Sequence, residues 1–439
     1  MEAVVQASCE SVSELHAVQQ SAMRKTAWRF VPVLFLAYIF NYLDRINVGF
    51  ASLTMNKDLG LTATQFGLGA GLMFVSYCLF EVPSNLVMYR FGARRWIARI
   101  MISWGIAAAA TMYVVGPRSF YLIRFVLGAA EAGFHPAVIF FFAQWFPAQY
   151  RPRVIAWFLG AIPISSLLGG PLCGLLLQMN GFLGLAGWKW LFILEGVPAV
   201  FTGIATFYLL GDEPKTASWL NAAERTALVT MLAEEKRERP HRDLLAALKD
   251  ARVLILSGII FTFTLGSISM AVWLPQILKG YGLSTLKIGF VASIPYFFGI
   301  IASIIWARYA GRTGKAELSL TIAMLVTVVG LVFSVLSGAL LPALVGITIG
   351  LIGLTSSRAV FWSIPPNFLT GIAAAGGIAF INSVGNLGGL AGPVMVGYLK
   401  DRTGSPRSGV LGMAVVLLLG TLLAALLRAF VSESKKKPA

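Results

Sequence analysis

Charge is what this chain has least of. Asp, Glu, Lys and Arg make up 12% of its 439 residues, about half the share found in soluble domains. That scarcity excludes an ordinary soluble globular protein. Acids are the scarcer sign, 19 against 35 Lys and Arg. Only three cysteines (Cys9, Cys78, Cys173) and three histidines are present, which leaves no disulfide framework and no metal cluster. Cys78 and Cys173 fall in apolar runs and read as small core residues. No nucleophile triad, zinc motif or phosphate loop occurs, so no enzyme activity, cofactor or metal is expected. The first 22 residues lack a cationic start followed by an apolar core, so no cleaved signal peptide is expected there. They read as a tail in water.

What is abundant is apolar: 57% of residues are hydrophobic and mean hydropathy is +0.77. An integral membrane protein is implied. The formal charge of +16 could suggest nucleic acid, but the basic residues punctuate the apolar runs, as topology signals do. The partners expected are therefore a lipid bilayer and no nucleic acid.

A membrane helix needs about 20 apolar residues. Such runs occur near 28–51, 64–88, 94–115, 118–143, 153–178 and 188–210, and again near 251–278, 286–309, 318–337, 340–362, 371–398 and 408–430. The expected fold is all-α, with twelve transmembrane helices in two pseudo-symmetric six-helix bundles. Its parts are a tail (1–22), a first bundle (23–211), a linker (212–250), a second bundle (251–431) and a basic tail (432–439). The linker is too charged to enter a bilayer. Asn221 and Glu224 resemble a capping box, and Leu228, Met231 and Leu232 form one apolar stripe behind it, which predicts a short surface helix. With both termini inside, cytoplasmic segments hold 24 of the 35 basic residues and external segments 8, as the positive-inside rule requires. Lys400, Arg402 and Arg407 dissent, falling in the last external loop.

The two halves repeat. Arg90 and Gly92 recur as Arg312 and Gly314, and Gly170-Pro171 recurs as Gly392-Pro393, both at an offset of 222. Parallel six-helix halves place a solute site near the midplane between them.

Four charges sit inside the apolar runs: Asp44, Arg45, Arg124 and Glu131. Each would cost about 2.5–3.5 kcal/mol at the middle of an isolated membrane helix, so they must face one another or face water. Asp44-Arg45 and Arg124 lie at similar depths and are expected to meet across a helix interface. Glu131 is seven residues past Arg124 and shares its face, with His135 one turn further. A polar seam is predicted, thinned by Gly128. His135 is either a proton relay or a neutral wall residue. Desolvation and a nearby arginine act on a carboxyl in opposite senses, so Asp44 and Glu131 are candidates to exchange protons. Glu195, close to Trp188, Lys189 and Trp190, reads as a structural group at the outer interface. Glu81, beside Pro83, reads as a gate or helix-pairing group. The second half is nearly uncharged inside its spans, with Arg358 the exception, and Trp362 follows on its face. Asn382 and Asn386 share a face of a Gly-rich helix, either as ligand surface or as helix-to-helix hydrogen bonds. Arg45, Arg124 and Arg358 outweigh Asp44 and Glu131, which favours an anion as the guest, and Arg forks suit carboxylates.

These residues resemble the anion:cation symporter branch of the major facilitator superfamily, closest in look to bacterial tartrate-type and sugar-acid carriers. The likeness rests on Tyr42-Leu43-Asp44-Arg45-Ile46-Asn47, Phe80-Glu81-Val82-Pro83-Ser84-Asn85, the run Arg124 to Gly133, Trp190 to Gly196, and Gly376-Gly377 through Asn382 to Gly389. It covers nearly the whole chain. It implies a twelve-helix importer of organic anions with protons. The acids matching Asp44 and Glu131 would couple protons and the arginines matching Arg45 and Arg124 would hold a carboxylate. Tyr42, Tyr77, Trp362 and Asn382 would line the cavity. In the loop signature after the second helix, Asn85 and Tyr89 replace the expected Gly and Asp, while Arg90, Gly92 and Arg94 remain. Arg90, Arg94 and Arg312, with Glu81, are the expected gating residues. His135 and Arg358 depart from the family pattern and are candidates for setting which acid is chosen.

The expected function is proton-coupled uptake of a small organic anion by alternating access, a hydroxy-dicarboxylate such as tartrate or a sugar acid being favoured. An aromatic carboxylate such as hydroxyphenylacetate or phthalate is the alternative, and a proton/drug antiporter a more distant one. A monomer in the bacterial inner membrane, both termini cytoplasmic, is the expected form.

Overall fold

The computed structural model describes residues 2–235, 250–336, 338–365 and 371–434. Among these no strand occurs, and the chain is a succession of helices. The first half holds α1 (Glu2–Asp58), α2 (Ala63–Phe91), α3 (Ala93–Ala110), α4 (Pro117–Glu131), α5 (Phe134–Trp145), α6 (Arg151–Leu159), α7 (Ala161–Leu176) and α8 (Gly187–Leu209). The linker carries α9 (Ala222–Glu235), and the second half holds α10 (Ala251–Lys279), α11 (Thr285–Thr313), α12 (Ala316–Leu336), α13 (Leu340–Phe361), α14 (Gly371–Thr403) and α15 (Pro406–Ser434). The pairs α4–α5 and α6–α7 each make one crossing, which gives six per half. Eleven helical segments among the described residues are long and apolar enough to span a membrane. The twelfth expected span is α3, whose first turns carry Arg94, Arg95 and Arg99 and so dilute its hydropathy.

The tail expected over 1–22 is continuous with the first span, since α1 runs unbroken from Glu2. The predicted capping box of α9 forms: Glu224 N–H donates to Asn221 Oδ1 (2.8 Å) and Asn221 N–H to Glu224 Oε2 (3.0 Å). Leu228 and Met231 are buried. Glu224 also accepts from Ser21 Oγ at 2.7 Å and pairs with Lys25 at 2.7 Å, clasping α9 to α1. Burial alone would raise this carboxyl, but hydrogen bonds from Lys25, Ser21 and the Asn221 amide hold it at about 2. A group held low stabilises the clasp above its ordinary value of about 4.3 and loses that contribution as pH falls towards 2. Glu224→Ala is expected to lower stability by about 1–3 kcal/mol at neutral pH, with much less effect near pH 3. Thermal unfolding of the two proteins at both pH values checks this. Residues 236–249 and 435–439 of the expected linker and basic tail lie outside the described residues.

The repeat is visible in the packing. Within the halves α2 packs on α4 as α11 packs on α13, and α3 on α8 as α12 on α15. Gly92 and Gly314 end the second helix of each half. Thr62 and Ser284, also 222 apart, cap the starts of those helices. Between the halves, α2 crosses α14 and α11 crosses α7. Both crossings need a residue without a side chain. A β-carbon on Gly67 would lie 2.2 Å from the Pro393 carbonyl oxygen, and one on Gly289 2.5 Å from that of Gly170. Small residues of this kind let membrane helices approach at backbone distance.

These crossings sit toward the end of the bundle away from the chain termini, and polar latches fasten that far end. Asp401 accepts from the Ala63 and Thr64 amides (3.1 and 2.7 Å), capping α2 from the opposite half. Gln178 donates to Thr285 Oγ1 at 2.8 Å at the equivalent place on α11. Gln276 donates to Ser52 Oγ at 2.8 Å and accepts from Lys400 at 2.6 Å. Lys400, a dissenter from the charge bias, is thus part of a latch.

Candidate functional site

Neighbours on a helix point about 100° apart, and this separates Asp44 from Arg45. Arg45 turns to α4 and donates from Nε to Glu131 Oε1 at 3.0 Å, with Nη2 closing on the same oxygen. Its guanidinium lies 5.3 Å from the Tyr77 ring centroid and 5.9 Å from that of Phe74. The Arg45 side chain is 19% exposed while that of Glu131 is 0% exposed. The arginine therefore forms the wet side of the pair. Glu131 Oε2 is buried and has no hydrogen-bond partner.

Asp44 turns the other way, into the first bundle, so the expected meeting of Asp44 with Arg124 by direct contact is not what forms. Its Oδ2 accepts from Trp104 Nε1 (2.7 Å) and its Oδ1 from Asn47 Nδ2 (3.2 Å). Arg124 is buried behind the Arg45–Glu131 pair. Its Nη2 reaches only Met73 sulfur, at 3.3 Å, and its Nε and Nη1 have no partner. A guanidinium in this position is a strong donor in want of an anion. Gly128, expected to thin the cavity wall, instead lets α4 touch α2. A β-carbon there would lie 2.1 Å from the Met73 carbonyl oxygen.

The predicted seam stops at Glu131. The helix breaks at Ala132 and Gly133, the latter with φ +89°, a conformation that favours glycine. His135 belongs to the next helix, α5, and leaves the Arg124–Glu131 stripe. It sits half-buried, 6.0 Å from the Tyr38 ring and 6.1 Å from that of Phe158, within the field of Arg45. Gly133 followed by Pro136 was the signal for this break. Tyr42 is half-buried and Tyr77 buried.

Across the interface, Arg358 is half-buried with its guanidinium 5.6 Å from the Phe263 ring. Its charge reaches Tyr38 of the first half and Tyr296. Trp362 follows the last residue of α13 and packs edge-on against Phe361 at 5.2 Å. Asn382 and Asn386 are half-buried on α14. The expected gate residues are not brought together. Arg94 pairs with Asp212 at 3.1 Å, inside the first half. Arg90 and Arg312 are exposed. Glu81 is half-buried, within the field of Arg45.

Glu195 departs furthest from expectation. It lies eight residues into α8, about 12 Å along the axis, which carries it away from the interfacial tryptophans into the bundle. It is 1% exposed. Its Oε2 accepts from Asn47 Nδ2 at 2.7 Å and its Oε1 from the Cys173 thiol at 3.4 Å.

Comparison with known proteins agrees with this architecture. Residues 34–376 match the Major Facilitator Superfamily. The chain is 44% identical to a protein of Agrobacterium vitis named "Putative tartrate transporter", over 93% of this chain and 92% of that one. It is 41% identical to the "Quinolone resistance transporter" of Acinetobacter baumannii, over 95% and 97%. Among solved structures, a bacterial homologue of the human lysosomal transporter Spinster superposes with a TM-score of 0.78 at 14% identity, covering 94% of this chain and 99% of that one. The chain is a multi-pass membrane protein and belongs to the Major Facilitator Superfamily.

Proposed function

We propose that this protein imports a small organic anion together with protons, and that a hydroxy-dicarboxylate such as tartrate, or a sugar acid, is the substrate class. One observation carries the reading. A half-wet arginine, Arg45, is occupied by Glu131, while a second arginine behind it, Arg124, has guanidinium nitrogens with no partner. Protonation of Glu131 removes the charge that holds Arg45. The two forks are then available to a carboxylate, and substrate and proton enter as a charge-balanced set. In this reading Arg358, Trp362 and Asn382 meet the other end of the solute from the second half. A balanced set moves no net charge, so the pH gradient drives it, at about 1.4 kcal/mol per tenfold difference in proton concentration. His135, within the field of Arg45, tunes this exchange rather than relaying along a continuous stripe. The relative named for tartrate transport supports the substrate class, and the basic residues on the terminal side support an inner-membrane protein with both ends cytoplasmic.

The relative named for quinolone resistance favours a second reading, in which an aromatic acid or drug uses the same arginines and stacks on Trp362. Uptake of labelled tartrate, galactonate, 4-hydroxyphenylacetate and a fluoroquinolone into proteoliposomes, with and without an inward pH gradient, decides between them. Tartrate or the sugar acid should accumulate only with the gradient. Movement of the fluoroquinolone alone would overturn the first reading.

A further inference from the structure

Asp44 and Glu195 are both 1% exposed, and among the described residues neither has an ion-pair partner. The two carboxyls share one amide: Asn47 Nδ2 gives one hydrogen to Asp44 Oδ1 and the other to Glu195 Oε2. Trp104 and the Cys173 thiol donate to the remaining carboxyl oxygens. All three donor groups are neutral. The charged groups facing this pair from the surrounding helices are Glu131 and Arg124 of α4, with Arg45 beyond them, engaged by Glu131. Three acids thus stand against two arginines inside the first bundle. Buried charge of that kind is not left uncompensated, and one bound proton balances it. A separate observation shows where that proton is received. Asn47 is fully buried, yet its Oδ1 has no hydrogen-bond donor. Turning the amide puts this acceptor where Nδ2 stands, between the two carboxyls, where it matches a proton on one of them.

We propose that Asp44, Asn47 and Glu195 form a second proton site, in which Glu195 holds a proton that travels with the solute. The proposal rests on the proton-coupled reading above. On loading, an O–H bond forms at Glu195 Oε2 and the Asn47 amide turns. Its Oδ1 takes the place of Nδ2 and accepts that hydrogen, and Asp44 gives up its bond to Nδ2 while keeping the one from Trp104. On release the O–H bond breaks, the electron pair stays on the carboxylate, and the proton passes to water when the surrounding helices part. Glu195 lies nearer the latched far end than Glu131 does, eight residues from the start of α8 against fourteen from the start of α4.

The proton is itself the probe. Infrared difference spectra of the purified full-length protein, titrated with acid, should show the carbonyl stretch of a protonated buried carboxyl. That band should lose intensity in Glu195→Gln and move its pH midpoint upward in Cys173→Ala, which removes a donor to the ionised form. Bands and midpoints unchanged in both variants would overturn the proposal. Cys173→Ala decides alone if Glu195→Gln fails to fold. In proteoliposomes, Glu195→Gln should lower pH-driven tartrate uptake at least tenfold more than tartrate–tartrate exchange. An equal fall in both marks a structural role and overturns the proposal. A wild-type protein that carries tartrate without proton entry sinks the coupled reading, whereas the infrared result reports on Glu195 independently.

Discussion

Replacing Arg124 by lysine is expected to lower the initial rate of organic-anion uptake by at least about a hundredfold. The positive charge survives this exchange, so Glu131 and Asp44 keep a cation nearby and the bundle keeps its charge balance. What is lost is the planar fork. Lysine cannot present two parallel donors to a carboxylate. Hydrogen bonds to charged groups are worth about 1.5–3 kcal/mol each, and every 1.4 kcal/mol is about tenfold in affinity. The measurement is uptake into proteoliposomes, with thermal unfolding of the same preparation to confirm folding. A rate within about threefold of wild type would show that Arg124 serves only to balance the carboxylates around it. Arg45→Lys should be milder, because Arg45 is partly exposed and solvent can serve the donors a lysine lacks.

The second large effect concerns the crossings between the halves. Valine at Gly67 would place its β-carbon 2.2 Å from the Pro393 carbonyl oxygen, and valine at Gly289 would do the same 2.5 Å from that of Gly170. Neither oxygen can retreat without moving a helix. Overpacking of this kind costs about 1–3 kcal/mol, but here the chain can escape it by parting the far end. The double variant is therefore expected to remain folded, to favour the state open at the far end about tenfold or more, and to lose net uptake. Labelling a cysteine introduced at Ser52, in a background with the three native cysteines replaced, reads the change. Ser52 is buried and bonded to Gln276, so its substitute should react slowly in the parent and at least tenfold faster with both valines. Equal reactivity would mean that the glycines pack the bundle without controlling its opening.

Much of this site was legible in the sequence because charge inside an apolar run is costly and therefore informative. Asp44, Arg45, Arg124 and Glu131 stand out on that ground alone. Their partners did not follow from depth. Asp44 and Arg45 are adjacent in sequence, and adjacency on a helix sends side chains to different neighbours. Counting turns from Arg124 reached Glu131 correctly and then overran the break at Gly133. The neighbours Trp188, Lys189 and Trp190 point Glu195 to the interface, but eight residues of helix separate it from the start of α8. The offset of 222 stands out at Arg90 and at Gly170-Pro171, and Thr62 with Ser284 and Gly67 with Gly289 repeat at the same spacing. A small residue carries little signal in sequence until a second helix packs against it.

The two halves are nearly equal in shape and very unequal in content. Asp44, Arg45, Arg124, Glu131 and Glu195 all belong to the first, and the second contributes Arg358, its other span charges lying close to the span ends. If the first half runs the engine, the second is free to vary as the lock. Exchanging one lock for another would then leave the engine intact, and a single ancestral drive could have been fitted to many acids without being rebuilt.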